Sequence, residues 1–141
     1  MKIELKNKEL SQAINFLSAM NLHAKDSRNR SKLVKILSKA FQELSEEEKK
    51  LMEDNGLLDE SGVLIKESER DSKKVATFNK EQAILMDEVV IIEGGLYSRN
   101  IDEIPRILNE YDGEMSGIDA EIYDRLLDEF EKETSGKTDA E

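Results

Sequence analysis

The sequence contains no cysteine, one histidine and one proline in 141 residues. Without cysteine, disulfide bonds, thiolate catalysis and cysteine-ligated zinc sites are all excluded. The longest uninterrupted apolar runs, such as residues 89–92, have only four residues, whereas a membrane-spanning helix needs about 18. The first ten residues, MKIELKNKEL, lack the apolar centre of a signal peptide. We therefore expect a cytoplasmic protein that has no contact with a membrane.

Motifs for catalysis or metal binding are also absent. A Ser–His relay or a histidine metal site would depend on His23 alone, which lies in a polar stretch, and no nucleophile-elbow motif is present. The acidic clusters lack the alternating ligand spacing of an EF-hand. Gly94-Gly95 is not followed by the lysine of a phosphate-binding loop. We predict no catalytic residue, no cofactor and no metal, and hence a protein that is not an enzyme.

The charge is high and unevenly distributed. Charged and apolar residues each make up 38% of the chain, and the net charge is −11. Residues 1–40 contain nine Lys or Arg against three acidic residues, whereas residues 41–141 contain twelve against twenty-nine. The length suits one domain with a modest core. A basic first third on an acidic body can bind another part of the chain, a partner, or nucleic acid.

One long amphipathic helix is predicted at residues 28–52, where apolar residues recur every three or four positions. A shorter helix over 8–22, with Asn7 as its N-cap, precedes this helix and would form an antiparallel hairpin with it. The apolar face of the long helix comprises Leu33, Val34, Leu37, Phe41, Leu44, Leu51 and Met52. Phe41 is expected to be buried there.

Short strands and further helices complete the predicted fold. Residues 1–6 alternate as a strand does, and the β-branched run at 89–92 suits a strand that could pair with them. Residues 53–75 form an acidic insert, either mobile or containing a small hairpin at 57–65. Later helices are predicted from near Lys80, capped by Thr77 or Asn79, then from Asp102, with Pro105 in its first turn, and from Ser116 or Asp119.

The predicted fold class is therefore mainly α. We expect a single domain at 1–133 with four to five helices around the antiparallel hairpin and a minor two-stranded β element. Residues 134–141 have nothing to bury and are predicted to form a disordered tail.

The basic start of the long helix is the first candidate for a partner-binding surface. Cations at a helix N-terminus oppose the helix dipole, so an anionic group should compensate them. The chain's own acidic segments, an acidic partner protein and a second copy of the chain all remain open. Nucleic acid is disfavoured, because no aromatic residue lies among the cations and the acidic body would repel phosphate. The candidate residues are Arg28, Arg30, Lys32, Lys35 and Lys39.

The acidic final helix is the alternative surface. Repeated carboxylates on one helix could imitate DNA and occupy the basic cleft of a host defence nuclease, as an anti-CRISPR or anti-restriction inhibitor would. A solvated acidic face is the simpler interpretation. The residues concerned are Asp119, Glu121, Asp124, Asp128 and Glu129.

The order of several segments resembles a family of small proteins of unknown function from tailed phages and prophages of low-GC Gram-positive bacteria. These segments are MKIELKNKEL (1–10), NFL (15–17), SRNRSKLVKIL (27–37), EEEKKLM (46–52), IIEGG (91–95) and AEIYDRLLDEFE (120–131). The resemblance implies a phage origin and a role in assembly or host interaction, and it carries over no site residues. We expect a partner protein of phage or host, and a location in the host cytoplasm or on the virion.

Overall fold

A computed structural model describes the backbone of residues 1–139 and the side chains of residues 1–134. It confirms the mainly α class with a small antiparallel sheet. Short 3₁₀ turns lie at Asn7–Glu9, Glu67–Glu69 and Gly95–Tyr97. The strands and helices are β1 (Lys2–Lys6), α1 (Leu10–Ala19), α2 (Ala24–Asp54), α3 (Ser72–Asp87), β2 (Val89–Glu93), α4 (Ser98–Asp102), α5 (Ile104–Glu110) and α6 (Ile118–Asp139).

The two strands pair as the sequence predicts. β1 and β2 are antiparallel, with Lys2 opposite Glu93 and Lys6 opposite Val89. Ile3, Leu5 and Ile92 form the buried face of this sheet. Val89 and Ile91 are exposed, at 56% and 53%. Side chains alternate between the two faces of a strand, so only half of the apolar run at 89–92 can reach the core.

Helix α2 is longer than predicted and begins at Ala24, so the connection from α1 spans only residues 20–23. Asp26 in its first turn suits the positive end of the helix dipole. Asn7 is not the N-cap of α1. Its N–H donates to the Glu88 carbonyl, and its side-chain Nδ2 donates to the Leu85 carbonyl at 2.8 Å. Asn7 therefore joins the start of the chain to the end of α3.

The core forms where α1, α2 and α6 present their apolar faces. Leu33, Leu37 and Leu44 of α2 are buried, as are Leu126 and Phe130 of α6. The expected burial of Phe41 is wrong, because this side chain is 39% exposed. Four residues advance the helix by about 40° beyond a full turn. Phe41 therefore lies at the border of the buried face that Leu37 occupies.

The acidic segment after α2 contains a small hairpin-like turn. Leu58 and Leu64 form an isolated antiparallel bridge. The Asp59 carboxylate accepts hydrogen bonds from the N–H groups of Ser61 and Val63. These contacts favour the hairpin interpretation of residues 57–65, and the mobility of the segment stays a prediction.

The start of α3 differs from the prediction. It begins at Ser72 instead of near Lys80, and neither Thr77 nor Asn79 is its N-cap. The Asp71 carboxylate caps it by accepting from the N–H groups of Lys73 and Lys74. The first turn of α3, residues 72–75, is mostly polar, whereas Val75 and the buried Phe78 follow at a helical step of three that the prediction did not use.

The helix predicted from Asp102 begins at Ile104 as α5, with Glu103 instead of Asp102 as its N-cap, and the short helix α4 before it was not predicted. Asp102 ends α4, and Pro105 lies in the first turn of α5, as expected. The final helix α6 begins at Ile118 and ends at Asp139. Beyond Thr134, the predicted disordered tail lies outside the residues whose side chains are described, and it stays a prediction.

Candidate functional site

Four of the five predicted basic residues lie on one face of α2. Arg28, Lys32, Lys35 and Lys39 follow at steps of four, three and four, so their directions around the helix agree within about 60°. We call these four residues the basic stripe. Arg30 points about 140° or more away from each of them. The structure therefore groups four of the predicted residues and separates the fifth.

Helix α2 starts four residues before the basic stripe. The helix dipole acts mainly on the first turn, so it opposes these cations less than the sequence implied. Repulsion remains, because Arg28 and Lys32 stand four residues apart, as do Lys35 and Lys39. Within the part of the chain whose side chains are described, no carboxylate lies within 4 Å of any stripe cation. Direct ion pairing with the described side chains therefore does not compensate the stripe.

Tyr97 packs across the middle of the stripe. Lys35 Nζ donates to the Tyr97 hydroxyl at 3.0 Å, and Lys32 Nζ lies 4.8 Å from the centre of the ring. The hydrogen bond raises the pKa of Lys35 and lowers the pKa of Tyr97. The Lys35 ammonium group therefore remains charged beside a partly exposed aromatic ring. This arrangement adds a ring face to a surface that the sequence presented as purely cationic.

Two glycines shape the turn that carries Tyr97. A Cβ at Gly94 would lie 2.7 Å from the Ser98 Cα, and Gly95 has a φ of +54°. The Tyr97 N–H donates to the Gly94 carbonyl at 2.8 Å, which closes the turn. Leu96, at its tip, is 98% exposed. We call residues 94–98 the glycine turn.

The glycine turn is connected to α2 through α4. Asn100 Nδ2 of α4 donates to the buried Asn29 Oδ1 of α2 at 2.9 Å. The sequence marked Gly94-Gly95 as a turn but carried no signal for Tyr97. The contact between Tyr97 and Lys35 joins residues 62 positions apart. The stripe and the glycine turn together form the candidate site.

Arg30 has a different role from the stripe residues. Its Nη1 donates to the carbonyls of Leu17 and Met20, and its Nη2 donates to Ser27 Oγ at 2.9 Å. The last carbonyls of a helix have no partner within that helix. The guanidinium therefore caps the C-terminal end of α1 and holds the α1–α2 connection. Arg30→Glu would remove this cap, so we expect it to destabilise the α1–α2 connection.

A second charge cluster fixes the first turn of α2. Arg106 pairs with Asp26 at 2.7 Å, and with Glu103 and Glu110 at 3.0 Å each. The hydrogen bond from Arg106 lowers the pKa of Asp26. These acids compensate Arg106, and none of them pairs with the basic stripe further along the helix.

The structure also separates the residues of the predicted acidic surface into one buried residue, Glu129, and four exposed ones. Glu129 is only 7% exposed, pairs with Arg125 and Lys132 at 3.0 Å each, and accepts the Glu4 N–H at 3.0 Å. Burial raises its pKa, but the hydrogen bonds from Lys132, Arg125 and the Glu4 N–H outweigh burial and lower it. Glu129 thus joins α6 to β1, and it has two cationic partners within the chain.

The other acidic residues are exposed. Glu121, Asp124 and Asp128 point away from the buried face of α6, while Asp119 lies in the first turn of this helix. Among the residues with described side chains, none of these four has an ion-pair partner. In the same part of the chain, no cluster of three or more acidic or histidine side chains could hold a metal ion.

These features define a small, mainly α-helical protein with a two-stranded sheet and an exposed basic stripe on an acidic body. The family described as protein of unknown function DUF1617 matches residues 1–137, and the chain belongs to this family. No curated protein matches the chain, and no solved structure matches it. Over the described residues, no helix combines the length and apolar character needed to cross a membrane.

Proposed function

We propose that this chain is a phage-encoded, non-enzymatic protein that acts through protein–protein contacts, in assembly or in modulating a host factor. The basic stripe and glycine turn are its docking surface. The observation that carries the proposal is the set of four cations on one helix face with no carboxylate of the described residues in reach. The phage origin rests on the segments that resemble small phage proteins.

The surface contains two residue types that are common at protein interfaces, an aromatic residue and an arginine. Interface centres are enriched in aromatic residues and Arg, and a few well-placed side chains supply most of the binding free energy. Here the Tyr97 ring lies against Lys32 and Lys35, and Leu96, the preceding residue, is exposed. The chemistry fits an acidic protein surface with an apolar recess. Charge complementarity would speed association and select the partner.

Charge reversal at the two ends of the stripe tests the proposal. Arg28 and Lys39 are exposed and have no hydrogen bond or ion pair among the described contacts, so Arg28→Glu with Lys39→Glu should leave the fold intact. This stripe variant should lose capture of its partner from infected host cells. The matched control is Lys66→Glu with Lys73→Glu, which changes the charge equally at exposed positions elsewhere.

Equal capture by the wild-type chain, the stripe variant and the control would contradict the stripe as the docking surface. Circular dichroism and thermal melting of each variant establish first that the fold is retained. A protein that the wild-type chain and the control capture but the stripe variant does not is then identified. Its identity distinguishes a role in assembly from a role in modulating the host. A virion component supports assembly, and a host protein supports modulation of the host.

The second candidate is an acidic mimic of nucleic acid that inhibits a host defence nuclease. It is favoured by the exposed row of Glu121, Asp124 and Asp128 on α6. In this case Asp124→Lys with Asp128→Lys should abolish inhibition, and the stripe variant should retain it. Affinity should also fall steeply with salt, because charge supplies most of the attraction.

A further inference from the structure

An acid-rimmed groove lies between the second half of α2 and α3. It has a volume of about 450 Å³. Leu51, Leu85 and the 58%-exposed Ile84 give it an apolar floor. Glu47, Lys50 and Asp54 of α2 contribute to its rim, together with Glu81 of α3 and Glu88, which directly follows α3. With four carboxylates against one ammonium group, the groove complements the basic stripe, which packs around the partly exposed Tyr97 ring.

The spacing of charges on α2 matches this groove to the stripe. Lys32 precedes Lys39 by seven residues, and Glu47 precedes Asp54 by seven residues. Seven residues are about two helical turns. If two copies of α2 lie antiparallel, Lys39 meets Glu47 and Lys32 meets Asp54 in a single register. Two-fold symmetry repeats both pairs, so one interface contains four ion pairs.

The elements that flank α2 lie on the same side of this helix. Asn29 holds α4 and the glycine turn, whereas Glu47 lines the groove beside α3. These two residues are 18 positions apart, which is about five full turns, so they point in the same direction. In a two-fold antiparallel pair, the glycine turn of one copy therefore lies on the same side as the groove of the other. Leu96 can then reach the apolar floor around Ile84.

We propose that two copies of this chain associate through antiparallel α2 helices, with the stripe of each copy against the groove of the other. The inference rests on the proposed function, since it uses the same basic stripe. It adds that a second copy occupies this surface when no other partner is bound. Glu43 falls at the centre of the register and would face its symmetry mate, so the dimer should be weak.

Two complementary charge reversals test the dimer in the full chain. The head variant carries Lys32→Glu with Lys39→Glu, and the tail variant carries Glu47→Lys with Asp54→Lys. Sedimentation velocity at low ionic strength should give a concentration-dependent dimer for the wild type. Each variant alone should have a dimer Kd at least about tenfold higher. An equimolar mixture should form a heterodimer, because both of its contact sets again join opposite charges.

Added salt and the central glutamate provide two further readouts. Raising the salt concentration should dissociate the wild-type dimer, because these pairs lie at the surface. Glu43→Gln should tighten it by removing the repulsion at the two-fold axis. The control Lys66→Glu with Lys73→Glu should dimerise like the wild type.

A wild-type chain that stays monomeric at high micromolar concentration and low salt would overturn the proposal. A mixture that fails to restore association, with both variants folded, would also overturn it. Either result leaves the proposed function testable. The tail variant keeps the basic stripe, so it should still capture the external partner whether or not the chain dimerises.

Discussion

Replacing Arg30 with methionine should destabilise the domain through the α1–α2 connection. The substitution keeps the aliphatic length but removes the hydrogen bonds to the Leu17 and Met20 carbonyls. A hydrogen bond from a charged group contributes roughly 1.5–3 kcal/mol. Arg30 is only partly buried, so water can replace part of each bond, and we expect a total loss of about 2 kcal/mol. For a chain of this size, that corresponds to a fall in melting temperature of about 5–8 °C.

Arg28→Met is the matched control, because it removes the same charge from an exposed position two residues away. It should melt within about a degree of the wild type. Arg30→Lys should recover only part of the loss, since an ammonium group lacks the fork that reaches two carbonyls. Thermal melting followed by circular dichroism gives the comparison. If Arg30→Met and Arg28→Met melt at the same temperature, Arg30 is not the cap of α1.

Three further predictions concern the core, the α6–β1 connection and the glycine turn. Leu37→Ala should lower the free energy of unfolding, measured in urea, by about 2–5 kcal/mol, because Leu37 is fully buried. Phe41→Ala should lower it clearly less, because Phe41 is partly exposed. Equal losses would contradict the observed buried face of α2. The pKa of Glu129 is lowered in the folded protein. The ionised carboxylate therefore stabilises the fold above about pH 4.3, and this stabilisation is lost as the pH falls through the folded pKa. Glu129→Gln should therefore destabilise the protein at pH 7 but not under strongly acidic conditions. Gly94→Ala should displace the glycine turn and weaken partner binding, while Gly136→Ala, far from the site in sequence, should not.

The sheet and the main helices could be predicted because their signals are local. Alternation at 1–6 and the β-branched run at 89–92 favour strands, and the spacing of Leu33, Leu37 and Leu44 predicts the buried face of α2. The early starts of α2 and α3 were not predicted in this way. Their first turns are mostly polar and are fixed by caps and ion pairs, such as Asp71 to its own helix and Asp26 to Arg106.

The site was predictable only in part. The steps of three and four residues group Arg28 with Lys32, Lys35 and Lys39, and the same arithmetic places Arg30 on another face. The capping contacts of Arg30 depend on how α1 and α2 meet. Tyr97 reaches Lys35 across 62 positions of sequence. Contacts of this kind require the folded arrangement of α2 and α4, which no local pattern encodes.

Chemical footprinting of lysines tests the docking surface most directly. The free chain and the partner complex are acetylated briefly, at a concentration where the free chain is monomeric, and the modified sites are read by mass spectrometry. We predict that the complex protects Lys32, Lys35 and Lys39 while Lys66 and Lys73 react as in the free chain. Unchanged reactivity of the three stripe lysines in the complex would contradict the assignment of the basic stripe as the docking surface.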